Sequence, residues 1–461
     1  LSIQTTRRPM MILRRWSSSG RLMAALGFSC GAALGAIALA GGAVGSALEM
    51  PSPDRALRDV LHTPPLLVEQ GRPIELRYDV VCQADSFGKP CTTAGSLFVR
   101  RGGELEYRRI ALASAGGTVL AGTVDVPAQG VSYYAVIDDG GGSSMTVPAA
   151  GAAAPQRAWA VHALTPVSLG THTFGRMRKP DGRAVAATWG TGAGALGLLT
   201  GRELAHIGPS AFDVDGNGTV VVLDQVNDRL ARYPAGGLAP SYTRIAFAGG
   251  EGDLAVGADG TAFVLDQGAE PVVRSYRPSG ALAAATAVHG TGADMLRSGP
   301  AGTSLHGYPG DMWKPIGGGV GALLKPDQQA AGARPGRPAE GGVEVVVRGG
   351  QNEAFFALVR GDRALRAWRV SSPSTLGEIQ LAEPFGNGML VVLRVWTETK
   401  AEFVALVLSP NGLADSFAID PSQWAESGAL GRFRLEGGTL YQLRSTSAGA
   451  EIVTFDLGGA K

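Results

Sequence analysis

Cysteine, histidine and charged side chains are all scarce in this chain. Cys82 and Cys91 stand close together, but a zinc site needs more ligands than these two supply, and no histidine lies nearer than His62. The six histidines are scattered, with no two spaced by two to four residues, so no local metal-binding motif is present. There is no GxSxG elbow, no HExxH helix and no phosphate-cradling glycine loop. The Gly-rich run Gly190–Gly197 lacks the following helix pattern that a dinucleotide site requires, so it reads as a loop. Charge is modest at 18%, and the 68 glycines never fall into strict triplets, which excludes a collagen.

Acidic residues are absent from positions 1–47, where Arg7, Arg8, Arg14, Arg15 and Arg21 occur, and the chain is uncharged from Leu22 to Leu48. A basic stretch followed by an Ala/Gly-rich apolar run reads as a signal peptide, with Gly45 and Ala47 suited to the small-residue cleavage positions. Left uncut, the apolar run is long enough to act as a membrane anchor. Loss of this segment removes five positive charges and takes the formal net charge from +1 to −4, a poor surface for nucleic acid. The expected location is secreted or cell-envelope associated. In such an oxidising compartment Cys82 and Cys91 are expected to close as a disulfide across a short loop.

What the sequence does contain is an internal period. FDVDGNGTVVVLDQ from Phe212 and LAVGADGTAFVLDQ from Leu254 lie 42 residues apart and share Val, Gly-Thr, Val-Leu-Asp-Gln at matching positions. A period of about 40 to 45 residues built from short strands and glycine turns is one four-stranded propeller blade. The fold class expected is all-β, an N-terminal Ig-like sandwich followed by a β-propeller of six blades. The boundaries expected are 1–47 for the signal or anchor, 48–62 for a linker, 63–155 for the sandwich and 156–461 for the propeller.

Within the sandwich, alternation predicts strands near 66–68, 74–81, 96–99, 105–112, 119–126, 131–137, 145–147 and 158–161. Further strands are expected at 343–348, 354–360, 365–370, 377–381, 389–396, 402–408, 413–419, 432–435, 439–443 and 451–457. The last of these is expected to complete a blade begun near Trp159. The Gly-, Ala- and Pro-rich stretch 317–342 reads as a loop.

The run DGNGTVVVLDQVNDRLARY resembles an NHL repeat, through Gly218, the apolar strand Val220–Leu223, then Asp224, Asn227, Arg229, Leu230 and Tyr233. The second copy departs from it, with Ala269 and Pro271 where Asn227 and Arg229 stand. The resemblance implies a propeller whose relatives include protein- and glycan-binding surfaces, amidating lyases and sugar lactonases.

Three groups of residues could carry function. Asp213, Asp215, Asn217, Gly218 and Asp224 fall on a calcium-loop spacing. The matching blade has Ala255 and Gly257 in place of two of these acids, which favours a plain turn. Asp224 and Asp266 follow buried strands, where a carboxylate fixes the next turn through backbone N–H groups; the alternative is a place at the mouth of the channel. His306, Tyr308, Asp311 and Trp313 lie together in SLHGYPGDMWKP, either as an adhesive loop or as a plug in an inter-blade seam. The function expected is non-catalytic binding or scaffolding, with a protein or polysaccharide partner at the cell surface, and membrane contact only through the uncleaved N-terminal segment. A metal-dependent lactonase or lyase, with Asp224 and Asp266 around an ion, is the alternative. No cofactor and no metal is specified by the sequence.

Overall fold

The computed structural model of the protein describes residues 57–82, 93–139, 143–201, 204–248, 251–288, 293–299, 302–307, 312–316, 336–426 and 431–458. The signal-like segment 1–47, Cys91, Tyr308 and Asp311 lie outside the described residues. Those described belong to one compact unit, Pro53–Lys461.

The N-terminal strands are β1 (Leu57–Leu61), β2 (Leu67–Glu69), β3 (Pro73–Cys82), β4 (Ala94–Arg101), β5 (Arg108–Ser114), β6 (Val119–Asp125), β7 (Val131–Asp138), β8 (Ser144–Val147) and β9 (Gln156–Val161). They pair in the order β1-β3-β6-β5-β4-β7-β9, with β8 also on β7. The strict alternation of β3, PIELRYDVVC, sends Leu76, Tyr78 and Val80 inward and charged residues outward. These three pack with Leu97, Tyr133, Ala135 and Ile137 in one apolar core. The segment expected to be linker carries β1, in which Val60 is buried while Arg58 and Asp59 before it and Leu61 after it in LRDVL face outward and mask the pattern.

The chain then runs through β10 (Thr165–Ser168), β11 (Gly182–Trp189), β12 (Ala195–Leu196), β13 (Leu199–Gly201) and β14 (Leu204–Ile207) before the ring of sheets begins. The two repeats form equivalent antiparallel sheets. One is β15 (Ala211–Val214), β16 (Val220–Asp224), β17 (Arg229–Tyr233) and β18 (Ser241–Arg244). The other is β19 (Gly252–Val256), β20 (Ala262–Asp266), β21 (Val272–Tyr276) and β22 (Leu282–Ala287). Gly218 and Gly260 occupy the same turn with φ of 78° and 77°, a left-handed conformation that only glycine adopts without cost.

Next come β23 (Ala293–Gly299), β24 (Gly302–Gly307) and β25 (Met312–Ile316), a sheet of three strands. After it stand β26 (Arg337–Pro338), β27 (Glu344–Arg348), β28 (Glu353–Arg360) and β29 (Arg363–Ser371), joined by β10. A further blade is β30 (Thr375–Phe385), β31 (Gly388–Trp396), β32 (Ala401–Ser409) and β33 (Gly412–Ile419). The last is β34 (Phe433–Glu436), β35 (Thr439–Thr446) and β36 (Gly449–Asp456), extended by β11 and β12.

The protein is therefore an all-β propeller, and helix among the described residues is limited to three short 3-10 turns. Among the described residues five sheets have the four or more strands of a full blade, which corrects the expected six. The sheet β23–β25 has three strands among the described residues. Each seam buries apolar side chains from two sheets. Phe212 and Val214 pack with Leu443 and Ile452, while Ala211 and Val221 pack with Leu254 and Val264.

Ring closure also differs from expectation. The C-terminal β36 pairs with β11, Gly182↔Thr454 to Thr188↔Gly449, and not with a strand near Trp159. Trp159 lies in β9, which joins the two parts of the molecule. β9 runs antiparallel to β7 and parallel to β2, and meets β29 at Arg363↔Ala160. The Trp159 indole is buried and donates to Gly361 O at 3.1 Å, and Arg157 pairs with Asp362 at 2.7 Å.

Closure depends on a residue with no side chain. A Cβ at Gly449 would stand 2.0 Å from the Ala187 carbonyl oxygen, in the β36–β11 ladder. Gly449→Ala is expected to cost about 1–3 kcal/mol. The readout is a lower urea midpoint, with Gly216→Ala, whose Cβ would meet open space, as the control. His62 offers a second test. Its Nδ1 lies 2.7 Å from Arg77 O, its Nε2 2.9 Å from Tyr133 Oη, and its ring stacks on Tyr78. Burial lowers its pKa below the usual 6.5, partly opposed by the Arg77 carbonyl. The folded state thus binds this proton less readily than the unfolded chain, so stability is expected to fall as pH drops through 6.5. Thermal melts across this range should show a shallower dependence for His62→Gln.

Candidate functional site

Asp224 and Asp266 end the second strands of the two repeats, and both are buried. Asp224 Oδ1 accepts the Gly197 N–H at 2.8 Å, and Oδ2 accepts Asn227 Nδ2 at 2.8 Å and Arg229 Nε at 2.7 Å. Arg229 continues to the Ala195 and Thr191 carbonyls, and Asn227 to Gly190 O. The Gly-rich run 190–197 is thereby tied to the β15–β18 blade. Asp266 accepts the Ala248 and Gly268 N–H groups and Arg274 Nη1 at 2.8 Å, and Arg274 also donates to Ala246 O. Pro271 removed the arginine at the first position, and Arg274, three residues on, supplies the guanidinium instead. These acids act as latches between segments. Their oxygens are aimed at N–H groups, and the two share no partner among the described residues.

The calcium spacing gives a turn. Asp215 Oδ1 accepts the Asn217 and Thr219 N–H groups at 2.9 and 2.8 Å, closing an Asx turn over Gly218. Asp213 points elsewhere, with Oδ2 accepting the Val256 N–H of the next blade at 2.7 Å. Among the described residues no group of three or more His, Cys, Asp or Glu side chains could hold a metal ion.

Asp213 belongs to a buried charged hub that sequence reasoning missed. Asp253, on the innermost strand of the second repeat, accepts the Leu296 N–H at 2.7 Å and lies 3.4 Å from Arg297 Nη1. Arg434, from β34, reaches across two seams. Its Nη2 donates to Asp253 Oδ1 at 3.2 Å and to Leu254 O at 3.1 Å, and its Nε stands 3.3 Å from Asp213 Oδ1. Arg337 pairs with Glu383 and donates to Ala382 O. Burial raises the Asp213 pKa above its usual value, opposed by Arg434, and pushes Arg297 down to about 10, assisted by the charge of Arg434. Sequence gave no signal for this hub, since Asp253 and Arg434 are 181 residues apart.

The segment 306–313 is split. His306 and Trp313 face each other on β24 and β25, with ring centroids 5.0 Å apart, and His306 Nδ1 lies 2.7 Å from Asp294 Oδ1. Trp313 is 8% exposed and lies beneath the Arg337 guanidinium, 6.0 Å from its ring, so it fills a seam and is not offered to solvent. Tyr308 and Asp311 lie outside the described residues.

An exposed aromatic shelf forms where β14, β11 and the 423–426 segment meet. Trp424 is 37% exposed, with the His206 ring 4.0 Å and the Trp189 ring 6.1 Å from it. Its backbone is held on both sides. Trp424 N–H donates to Ser445 O at 3.2 Å, Ala425 N–H to Ser445 Oγ at 2.8 Å, and Glu426 N–H to His206 O at 2.6 Å. Trp189 donates through Nε1 to Thr446 O at 2.9 Å. Gly208 lets that indole lie close, because a Cβ there would stand 3.2 Å from its ring. Sequence analysis offered no signal for this shelf, since Trp189 and Trp424 stand in unrelated stretches, AATWGTGAG and PSQWAESG.

No family model matches the sequence, and no curated protein matches it. Among solved structures the chain is similar to a functionally unknown protein from Desulfotomaculum acetoxidans DSM 771, at 12% identity over 56% of this chain and 86% of that one, TM-score 0.35. A protein of unknown function from Bacteroides thetaiotaomicron VPI-5482 is 9% identical over 88% and 99%, TM-score 0.30. A catalytically inactive virginiamycin B lyase from Staphylococcus aureus, solved with quinupristin, is 10% identical over 86% and 98%, TM-score 0.22. Likeness at this level carries no argument about activity or ligand.

Removing the Asp224 carboxylate leaves the largely buried Arg229 unpaired and frees the 190–197 segment. Asp224→Ala is expected to cost about 3–5 kcal/mol, measured by chemical denaturation. The paired change Asp224→Leu with Arg229→Met should cost less than the single one, as a double-mutant cycle would show.

Proposed function

We propose that this protein is an exported, non-catalytic binding or scaffold protein of the cell envelope, whose propeller presents a preformed aromatic surface to a glycan. The observation that carries the reading is the shelf of Trp424, Trp189 and His206. An indole face held in place by backbone hydrogen bonds offers a large contact area at little entropic cost, the arrangement that stacks on the apolar face of a sugar ring. Glu426 and Ser422 beside it are exposed and supply groups for sugar hydroxyls. The acids that a metal-dependent lyase would use at Asp224 and Asp266 are occupied by arginines and backbone N–H groups, which supports binding over catalysis.

Export rests on the basic and apolar N-terminal segment, and the Cys82–Cys91 bridge follows from it as part of the same proposal. Within this reading the N-terminal strands are an Ig-like module, on strand number and alternation, and the propeller is NHL-like, on the DGNGTVVVLDQVNDRLARY blade. The test is titration of the full chain with neutral cello- and chito-oligosaccharides, followed by tryptophan fluorescence and calorimetry. Binding is expected to weaken by about tenfold or more in Trp424→Ala, with an unchanged melting temperature. Absence of binding to any neutral glycan, or equal binding by the variant, overturns the reading.

A further inference from the structure

The strands that join the sandwich to the propeller come apart and rejoin. β29 meets β9 at Arg363↔Ala160 and meets β10 from Trp368↔Thr165 onward. The offset is five residues on both sides, so the pairing keeps its register across the interruption. Between the two contacts, residues 161–164 and 364–367 bow apart. On the facing side, neither stretch has a strand partner among the described residues. A cleft of about 570 Å³ opens there, roofed by Gln70 and Gln129 from the sandwich. Its volume falls within the usual range for ligand sites, and such sites favour domain junctions.

The chemistry of the cleft is one-sided. Arg363 and Arg366 both line it and are exposed, and neither has a carboxylate partner among the described residues. The acid in the lining, Asp362, is already paired with Arg157 at 2.7 Å. His162, Gln70 and Gln129 add planar hydrogen-bonding groups, while the remaining wall is mostly alanine. Guanidinium groups recognise carboxylate and sulfate oxygens through paired hydrogen bonds. A wall of alanine offers no pockets for peptide side chains, whereas amide, imidazole and guanidinium planes match a polyhydroxylated ligand.

We infer that this junction cleft is a binding site for an anionic saccharide, a sugar chain bearing carboxylate or sulfate groups, separate from the aromatic shelf. Arg363 and Arg366 hold the acidic group, and Gln70, Gln129 and His162 take sugar hydroxyls.

The experiment uses the full chain and oligogalacturonate as the probe, with poly-glutamate as the peptide-like polyanion. Calorimetry should show oligogalacturonate binding that weakens about tenfold or more in R363A/R366A and falls with added salt. The double variant R244A/R277A, which removes the same charge from exposed positions on other blades, should bind as the parent does. Both arginines of the cleft are exposed, so R363A/R366A should melt as the parent does. Binding that is unchanged in R363A/R366A, or lost equally in R244A/R277A, overturns the inference. Preference for poly-glutamate over oligogalacturonate overturns it in favour of an acidic peptide. Binding of neutral oligosaccharides should be the same in R363A/R366A as in the parent, which keeps this test distinct from that of the shelf.

Discussion

A carboxylate taken out of water must find donors for its oxygens, and in this protein several of them come from a neighbouring segment. Asp213 takes an N–H from the next sheet, Asp253 takes one from the sheet after that, and Arg434 reaches back over both. Asp224 and Asp266 do the same at the strand ends, holding the connecting segments with the help of Arg229 and Arg274. Apolar packing between the sheets is non-directional and would tolerate sliding. The charged contacts are not tolerant, because a displaced sheet would leave a buried ion without its counterpart. The register of one sheet against the next is thus fixed by polar groups, and the strength of the contact by Phe212, Leu254, Ile452 and their neighbours.

Much of the strand layout was legible because alternation is a local property. β3 and β27 to β33 could be located from period-two patterns alone, and the 42-residue repeat gave the four-stranded unit. β1 escaped because adjacent Arg58 and Asp59 disguise a strand with a single fully buried residue. β11 and β12 escaped because their partners come from the other end of the chain or from a two-residue bridge.

The sites were less legible for the same reason in reverse. Asp224 and Arg229 are five residues apart, and their pattern could be read as a unit. Trp189 and His206 belong to one stretch of chain and Trp424 to another more than two hundred residues on, so only folding brings the rings together. For His306 and Trp313, which could be read either as part of an adhesive loop or as a plug in a seam, the fold places the two rings together on β24 and β25 with Trp313 buried. Residue type says what a side chain can do, while the ring decides whether it meets solvent.

The hydrogen-bonded path that runs from β1 through β9 into β29 and on to β26 has a mechanical meaning. Among the described residues the strands up to β9 reach the ring through backbone pairing, at Arg363↔Ala160. A load placed on the first strands would thus pass into the ring through main-chain hydrogen bonds and the Trp159 and Arg157 contacts beside them.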